Sequence, residues 1–403
     1  MTRSNDSWLA ARGGPQRHLA VVLVALAAAA PAALAQEPAP PAFETPPVLH
    51  AQDLAPAALL QGAGFQVEDA VPTDGILARF TIRSDVGVFE AYGVETLAVR
   101  VAELNALRAL DHAAQTPTFA KAVAEAAARG HDAPRLAPVA TVAVGALPAI
   151  ERFFGAADAT SAAQRAKTAL GHEQELRSLA KRLGIDPYTM QPALASKLRD
   201  MAWISYVGGA LRDALIPPAA LERQALPGSG AARALVYDTP REELDGKNVE
   251  RMRAFGASEE AARAVQWAPA LSLSVQTALV EALGRLPKAA HRADVLALAA
   301  TLETGDQALF LVRAIGILAD RDEQGPVVDL VAKDLVVAKQ DGGQLVAVVP
   351  ADMLAWTPAL AAFAKREDLA APARAFWISG RATARARDEL EKMGWAVHEG
   401  VKP

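Results

Sequence analysis

The sequence predicts an α+β fold, mainly helical, with an N-terminal antiparallel β-meander and a small C-terminal α/β unit. Three observations carry this. Residues 65–92 alternate apolar and polar positions between turn residues, the period of two that marks half-buried strands. Residues 136–325 repeat apolar positions at helical spacing, punctuated by glycine and proline. Residues 335–403 read as two strands, a helix, a strand, a helix and a strand, which suggests a small βαβ-like unit.

Ahead of these elements, residues 1–35 read as a secretory signal peptide. Arg3, Arg12 and Arg17 form a basic start, residues 19–30 are apolar without interruption, and Ala33-Leu34-Ala35 precedes Gln36. That order suits a translocon and a signal peptidase. The apolar run is 12 residues, short of the roughly 20 that span a bilayer. No Arg-Arg pair is present, so the general secretory route is expected over the twin-arginine one. The expected location is therefore periplasmic or secreted, after cleavage near Ala35. With no cysteine in the chain, lipid attachment at a mature N-terminal Cys is excluded.

Charge bounds the partners. The full chain is −5. Residues 1–35 hold three bases and one acid, so the mature 368 residues (403 − 35) carry −5 − 2 = −7. No basic patch stands out to displace counterions, which argues against nucleic acid. After the signal peptide, no apolar run reaches spanning length. Residues 136–150 come nearest, and Pro138 and Pro148 interrupt them.

Residues 36–61 read as a Pro/Ala-rich linker, with Pro38, Pro40, Pro41, Pro46 and Pro47 making 36–47 an extended tether. A unit of β-meander plus helices is expected over 62–135. Asp74-Gly75 turns into a strand with Ile76, Ala78, Phe80 and Ile82 on one face, and Ser84 to Gly87 turns into a third strand. Helices follow over 94–108, with Arg100 and Glu103 as a surface i,i+3 pair, and over 117–129. A helical domain is expected over 136–334. Its helices are placed at 161–183, 191–215, 272–286, 292–302, 306–320 and 326–333, and Ser258 caps another. The C-terminal α/β unit takes 335–403, with Asp341-Gly342-Gly343 as a hairpin turn.

Five blocks carry a resemblance: Thr73-Asp74-Gly75 with Thr81-Ile82-Arg83-Ser84; Ile185-Asp186-Pro187-Tyr188-Thr189; Trp203 through Gly209; Ser274-Val275-Gln276-Thr277-Ala278-Leu279; and Trp377-Ile378-Ser379-Gly380-Arg381-Ala382. With them the chain resembles an exported proteobacterial family with no known activity. The resemblance implies an exported, integral protein and transfers no site residues.

Candidate chemistry is sparse. Ser178-Leu179-Ala180-Lys181 matches S-x-x-K without S-D-N or K-T-G. His172-Glu173 opens like H-E-x-x-H, but Leu176 stands where the second histidine belongs. Asp320, Asp322 and Gly325 echo a calcium loop, whose bidentate acid is replaced by Val331. Trp377 and Trp395 fall within apolar elements and read as core. The strongest candidate is the strand-to-helix turn at 379–383. Ser379, Gly380, Arg381, Thr383 and Arg385 there would hold an anion against a helix N-terminus. The pairs Arg385–Glu389 and Arg387–Glu391 explain the same arginines as surface charge. No cofactor or metal is expected. The leading expectation is a non-catalytic envelope protein that binds a partner protein or small ligand. The alternative is a periplasmic enzyme or small-anion binder using the 379–383 turn.

Overall fold

A computed structural model describes residues 42–128, 162–208, 226–333 and 335–402. The expected signal peptide, the tether up to 41 and the apolar run at 136–150 lie outside the described residues, as does the end of the helix placed at 191–215. The fold is α+β. Among the described residues no helix is long and apolar enough to cross a membrane.

The N-terminal part opens with β1 (Val48–His50), α1 (Ala51–Leu54), α2 (Ala57–Leu60) and β2 (Gln61–Gly62). Next come β3 (Phe65–Val67), β4 (Ala70–Pro72), β5 (Arg79–Ser84), β6 (Gly87–Tyr92) and α3 (Val94–Ala114). The antiparallel sheet runs β2-β3-β5-β6, and β1 pairs separately with β4. Phe80 and Ile82 point inward as the alternation predicts, and Leu97, Val101 and Leu104 of α3 cover them.

The structure corrects the expected linker at 36–61. From residue 42 that stretch is built into the fold. Prolines cannot donate, but their carbonyls accept: Pro47 O takes the Thr73 amide at 3.2 Å and the Thr73 hydroxyl at 3.0 Å. The strand expected from Ile76 starts later, at Arg79. Asp74 Oδ1 accepts the amides of Ile76 at 2.8 Å and Leu77 at 2.7 Å, closing an Asx turn. This turns residues 75–77 toward the C-terminal part, where Ile76 O accepts the Asp352 amide at 2.9 Å and Gly75 O the Ala355 amide at 2.9 Å.

The helices α4 (Pro117–Ala128), α5 (Ala162–Leu183) and α6 (Pro192–Gly208) share a core with α3 and α7 (Gly230–Asp238). A second core joins α8 (Arg241–Ala254), α9 (Glu259–Gln266), α10 (Leu273–Gly284), α11 (Arg292–Ala300) and α12 (Gly305–Arg321). Every residue from Leu273 to Leu283 is buried, so α10 is the central helix, wrapped on all sides. Ser258 caps α9 as expected, accepting the Ala261 amide at 3.1 Å. Helix α8 gives little periodic signal, because its buried positions are only Leu244, Asn248 and Met252.

The segment 326–333, expected as a helix, is instead the strand β7 (Val327–Ala332). Val327, Val328 and Val331 are β-branched and suit a pleated surface. Pairing with β8 (Val336–Gln340) decides the outcome. With β9 (Leu345–Val349), β11 (Arg374–Ile378) and β13 (Trp395–His398) it forms a sheet of order β13-β11-β9-β8-β7. The hairpin β8–β9 and the parallel pairs β9–β11 and β11–β13 follow the predicted βαβ pattern. The short β10 (Met353–Leu354) and β12 (Arg381–Ala382) pair apart from it, so the N- and C-terminal strands belong to different sheets. One face of the larger sheet packs on the α10–α12 core through Val336, Ala338, Val346 and Val348. The other face carries α13 (Pro358–Ala364) and α14 (Ala384–Lys392) over Phe376 and Trp395. The helical and C-terminal segments thus share one core across the expected boundary at 334.

Asp352, in the loop between β9 and β10, ties the ends of the chain together. Its Oδ2 accepts the Ala78 amide at 2.9 Å and its Oδ1 the Val94 amide at the start of α3, at 3.3 Å. Burial pushes its carboxyl above the ordinary range, against the pull of those two amides and Arg313. Asp352→Ala is expected to cost about 2–4 kcal/mol, because two partly buried amides lose their acceptor. The drop in urea midpoint at unchanged m-value measures it. A loss under about 0.5 kcal/mol would mean that the junction does not depend on this side chain.

Candidate functional site

The 379–383 turn has the predicted strand-to-helix geometry, but its backbone amides from Gly380 to Thr383 and its two hydroxyls are already in use. The Gly380 amide donates to Ala351 O at 2.8 Å, the Arg381 amide to Asp352 O at 3.2 Å and the Thr383 amide to Leu354 O at 2.9 Å. The Ser379 hydroxyl donates to Ala351 O at 3.0 Å. The Ala382 amide donates to Glu399 Oε1 at 2.8 Å. Glycine is required at 380 by close packing of backbone, since a Cβ there would lie 2.3 Å from Asp352 O.

The anion that the start of α14 favours comes from the chain itself. Glu44 Oε2 accepts the Thr383 hydroxyl at 2.6 Å and the Trp356 amide at 2.7 Å. Arg385 donates to Ala42 O at 3.0 Å, clasping the same N-terminal segment. Arg381 is exposed. Of the two expected surface pairs, the partners differ: Arg387 reaches Glu399 at 2.6 Å, and Glu389 pairs with Lys392 at 2.8 Å.

The other sequence candidates resolve into structural roles. Asp320 pairs with Arg285. Asp322 Oδ1 accepts the Val327 amide at 2.7 Å, closing the turn into β7. Both calcium-loop acids therefore serve protein donors, and among the described residues no three His, Asp or Glu side chains come together as a metal site. Lys181 of the S-x-x-K stretch pairs with Asp238 at 2.8 Å. Glu173 of the H-E opening pairs with Arg177 at 2.8 Å, and the adjacent His172 meets Arg199 O at 3.0 Å. Trp395 is buried with its indole N–H on Ala364 O at 3.1 Å, while Trp377 is half-buried under Arg321 at 5.5 Å.

A buried polar cluster brings together two blocks that the sequence leaves far apart. Gly184, at φ +71°, ends α5 and turns the chain into Asp186. Asp186 Oδ1 accepts the Tyr188 amide at 2.7 Å and the Ser274 hydroxyl, and its Oδ2 accepts the Ser272 hydroxyl at 3.1 Å. Ser272 is the N-cap of α10, so the carboxylate stands at the positive end of the central helix. Burial pushes its carboxyl up despite these three donors. Nearby, Thr189 donates to Glu103 Oε1 at 2.6 Å. The Arg100–Glu103 pair exists at 2.8 Å, but Glu103 is buried, because the 185–189 turn sits on it.

An open groove lies between α7, the end of α8 and the end of α10. It offers about 710 Å³ and stays broadly open to solvent. Ala231, Ala234, Leu235 and Asp238 supply one wall from a single face of α7, at spacings of three, four and seven. Arg251 and Phe255 form the opposite lip, and Glu281, Gly284 and Arg285 form the floor. The groove exists because its walls are small: two alanines on α7, and Gly284, where even a Cβ would stand 3.8 Å from the Phe255 ring.

Glu281 is 9% exposed, and its Oε2 has no hydrogen-bond partner. Its Oε1 lies 4.0 Å from Arg285 Nε, and Arg285 also pairs with Asp320. Sequence reasoning missed this site, which three helices build together. One signal was available, a lone acid inside the otherwise uncharged run 273–284. Comparison with family models, curated proteins and solved structures returned no match.

The Asp186 cluster carries a pH signature. Its folded value lies above its ordinary 3.8, so the folded state holds the proton more tightly than the unfolded one. The stability it contributes is complete below pH 3.8 and is lost as pH rises through the folded value. Asp186→Asn keeps Oδ1 as an acceptor and can donate to Ser272 while removing the titration. The melting temperature of this variant, relative to wild type, is expected to rise as pH is raised from about 4 to about 7. A difference that stays flat with pH would place the proton elsewhere.

Proposed function

We propose that this chain is an exported protein of the cell envelope that acts by binding, with its ligand seated in the groove between α7, α8 and α10. The observation that carries the reading is the groove itself, about 710 Å³ with an apolar wall and a few converging polar groups. That combination is what small-molecule sites share. Export rests on the order of residues 1–35 and on the resemblance to an exported proteobacterial family with no known activity. The 379–383 turn is not chosen as the binding place, because Glu44 and Glu399 already occupy its donors.

Protein isolated from its native host is expected to begin at Gln36 or within a few residues of it, read by intact mass. A soluble chain retaining Met1 would defeat the export reading.

Ligand occupancy is tested with Nile red, an uncharged apolar dye. Mature protein is expected to give a saturable fluorescence rise with one site per chain. Ala234 is exposed, so Ala234→Trp fills the groove from α7 with little effect on folding, and it is expected to weaken dye binding at least about tenfold. Equal binding by wild type and variant would remove the groove from the function.

A further inference from the structure

We infer that Asp341 is a site of spontaneous covalent modification, isomerisation to isoaspartate through a cyclic imide, and that the fold confines this chemistry to one of the three Asp-Gly pairs of the chain. The pairs are Asp74-Gly75, Asp245-Gly246 and Asp341-Gly342.

The reaction follows from glycine. With no Cβ in the way, the glycine amide nitrogen can attack Cγ of the aspartate before it. A C–N bond forms, the carboxyl gives up its hydroxyl together with the amide proton as water, and a five-membered imide results. Water then adds at either imide carbonyl. Opening at Cγ restores aspartate. Opening at the other carbonyl leaves the main chain running through Cγ, which is isoaspartate, with a free α-carboxylate and one more methylene in the backbone. One water leaves and one enters, and nothing is oxidised or reduced. The attack requires the side chain to swing onto the next amide, so a held side chain or a fixed peptide prevents it.

Two of the pairs are held. Asp74 Oδ1 accepts the amides of Ile76 and Leu77 at 2.8 and 2.7 Å. Gly75 behind it is buried, with its carbonyl on the Ala355 amide at 2.9 Å. Asp245 and Gly246 lie inside α8, where the helical hydrogen-bond ladder fixes the peptide between them. Gln266 Nε2 also donates to Asp245 Oδ2, at 2.5 Å.

The third pair is free to react. Asp341 and Gly342 are both exposed at the tip of the β8–β9 hairpin. Among the described residues no side chain or amide holds the Asp341 carboxylate. The turn is tied through its neighbours: the Gly343 amide donates to Gln340 O at 2.9 Å and the Asp341 amide to Pro326 O at 2.8 Å. No backbone carbonyl among the described residues takes the Gly342 amide, the attacking group. A Cβ at Gly342 or Gly343 would meet nothing within 4 Å, and their φ values of +95° and +88° belong to glycine, so the peptide has room to turn. Asp341 stands two residues from the Lys339–Leu345 pair that ends the β8–β9 ladder. Isoaspartate there lengthens the connection between two strands of the larger sheet.

The test separates fold from sequence. Asparagine forms the same imide faster, releasing ammonia in place of water, so Asp74→Asn, Asp245→Asn and Asp341→Asn each place one reactive Asn-Gly pair at a chosen position. Each folded protein is incubated at neutral pH, and isoaspartate is located by peptide mapping and by methyl labelling with an isoaspartyl carboxyl methyltransferase. Asp341→Asn is expected to convert at least about tenfold faster than the other two, which react only through local opening. In urea the three rates are expected to converge. Wild type aged in mildly acidic buffer is expected to gather isoaspartate first at 341, a readout that stands even if a variant folds poorly. Conversion at 341 no faster than at 74 or 245 in the folded proteins, or wild type that ages first at another pair, overturns the assignment. A difference that persists unchanged in urea removes the fold as its cause and overturns it as well.

Discussion

Three helices of this protein start against a carboxylate delivered from far away in the sequence, and the arrangement of the chain depends on those contacts. Asp352 accepts the first amide of α3 from 258 residues away. Asp186 reaches the N-cap serine of α10 and its neighbour Ser274 across 86 and 88 residues. Glu44 meets the N-cap threonine of α14 across 339. The physical reason is common to all three. A helix N-terminus presents unpaired N–H groups and a partial positive charge, and both are costly to bury without an acceptor. Asp352 satisfies a helix amide directly, while Asp186 and Glu44 accept from the capping hydroxyls of Ser272 and Thr383, which themselves accept the Val275 and Ala386 amides; each carboxylate at the same time fixes where its own segment lies. These contacts therefore join parts of the chain rather than merely ending helices.

The same principle explains why the most suggestive turn in the sequence is closed. A glycine at the end of a strand, followed by a helix and arginines, is the outline of an anion site. Here the glycine admits the 351–352 backbone, and the anions are Glu44 and Glu399. The groove inverts this logic. It lies at the end of α10 away from Asp186, where the helix leaves the core and small residues on α7 leave space. There Glu281 is buried, with Arg285 4.0 Å from its Oε1 and no hydrogen-bond partner on its Oε2.

Burial of α10 connects the two ends. Its side chains from Leu273 to Leu283 are enclosed, so its polar groups must find partners inside. Thr277 receives the Asn248 amide at 2.9 Å and donates to Leu273 O at 2.8 Å. Gln276 donates to the carbonyls of Gln266 and Leu271 at 3.2 and 3.1 Å. The accounting stays open at two atoms of this helix, Gln276 Oε1 and Glu281 Oε2, and Glu281 is among the residues that line the groove.

By itself the sequence determined what depends on neighbours within a few residues. The alternation around Phe80 and Ile82, the Ser258 cap, the 341–343 hairpin turn and the βαβ order of the C-terminus all follow from local periodicity and turn chemistry, and the α+β class follows from them. Tertiary structure decided the rest. Val327–Ala332 is a strand because β8 offers it a ladder, which no local preference reports. The stretch from residue 42 is folded rather than free because Glu44 has donors waiting 312 and 339 residues later. Glu103 is buried because the 185–189 turn settles on it. The groove is a gap between three helices, formed where side chains are absent, and an absence has no sequence signature of its own.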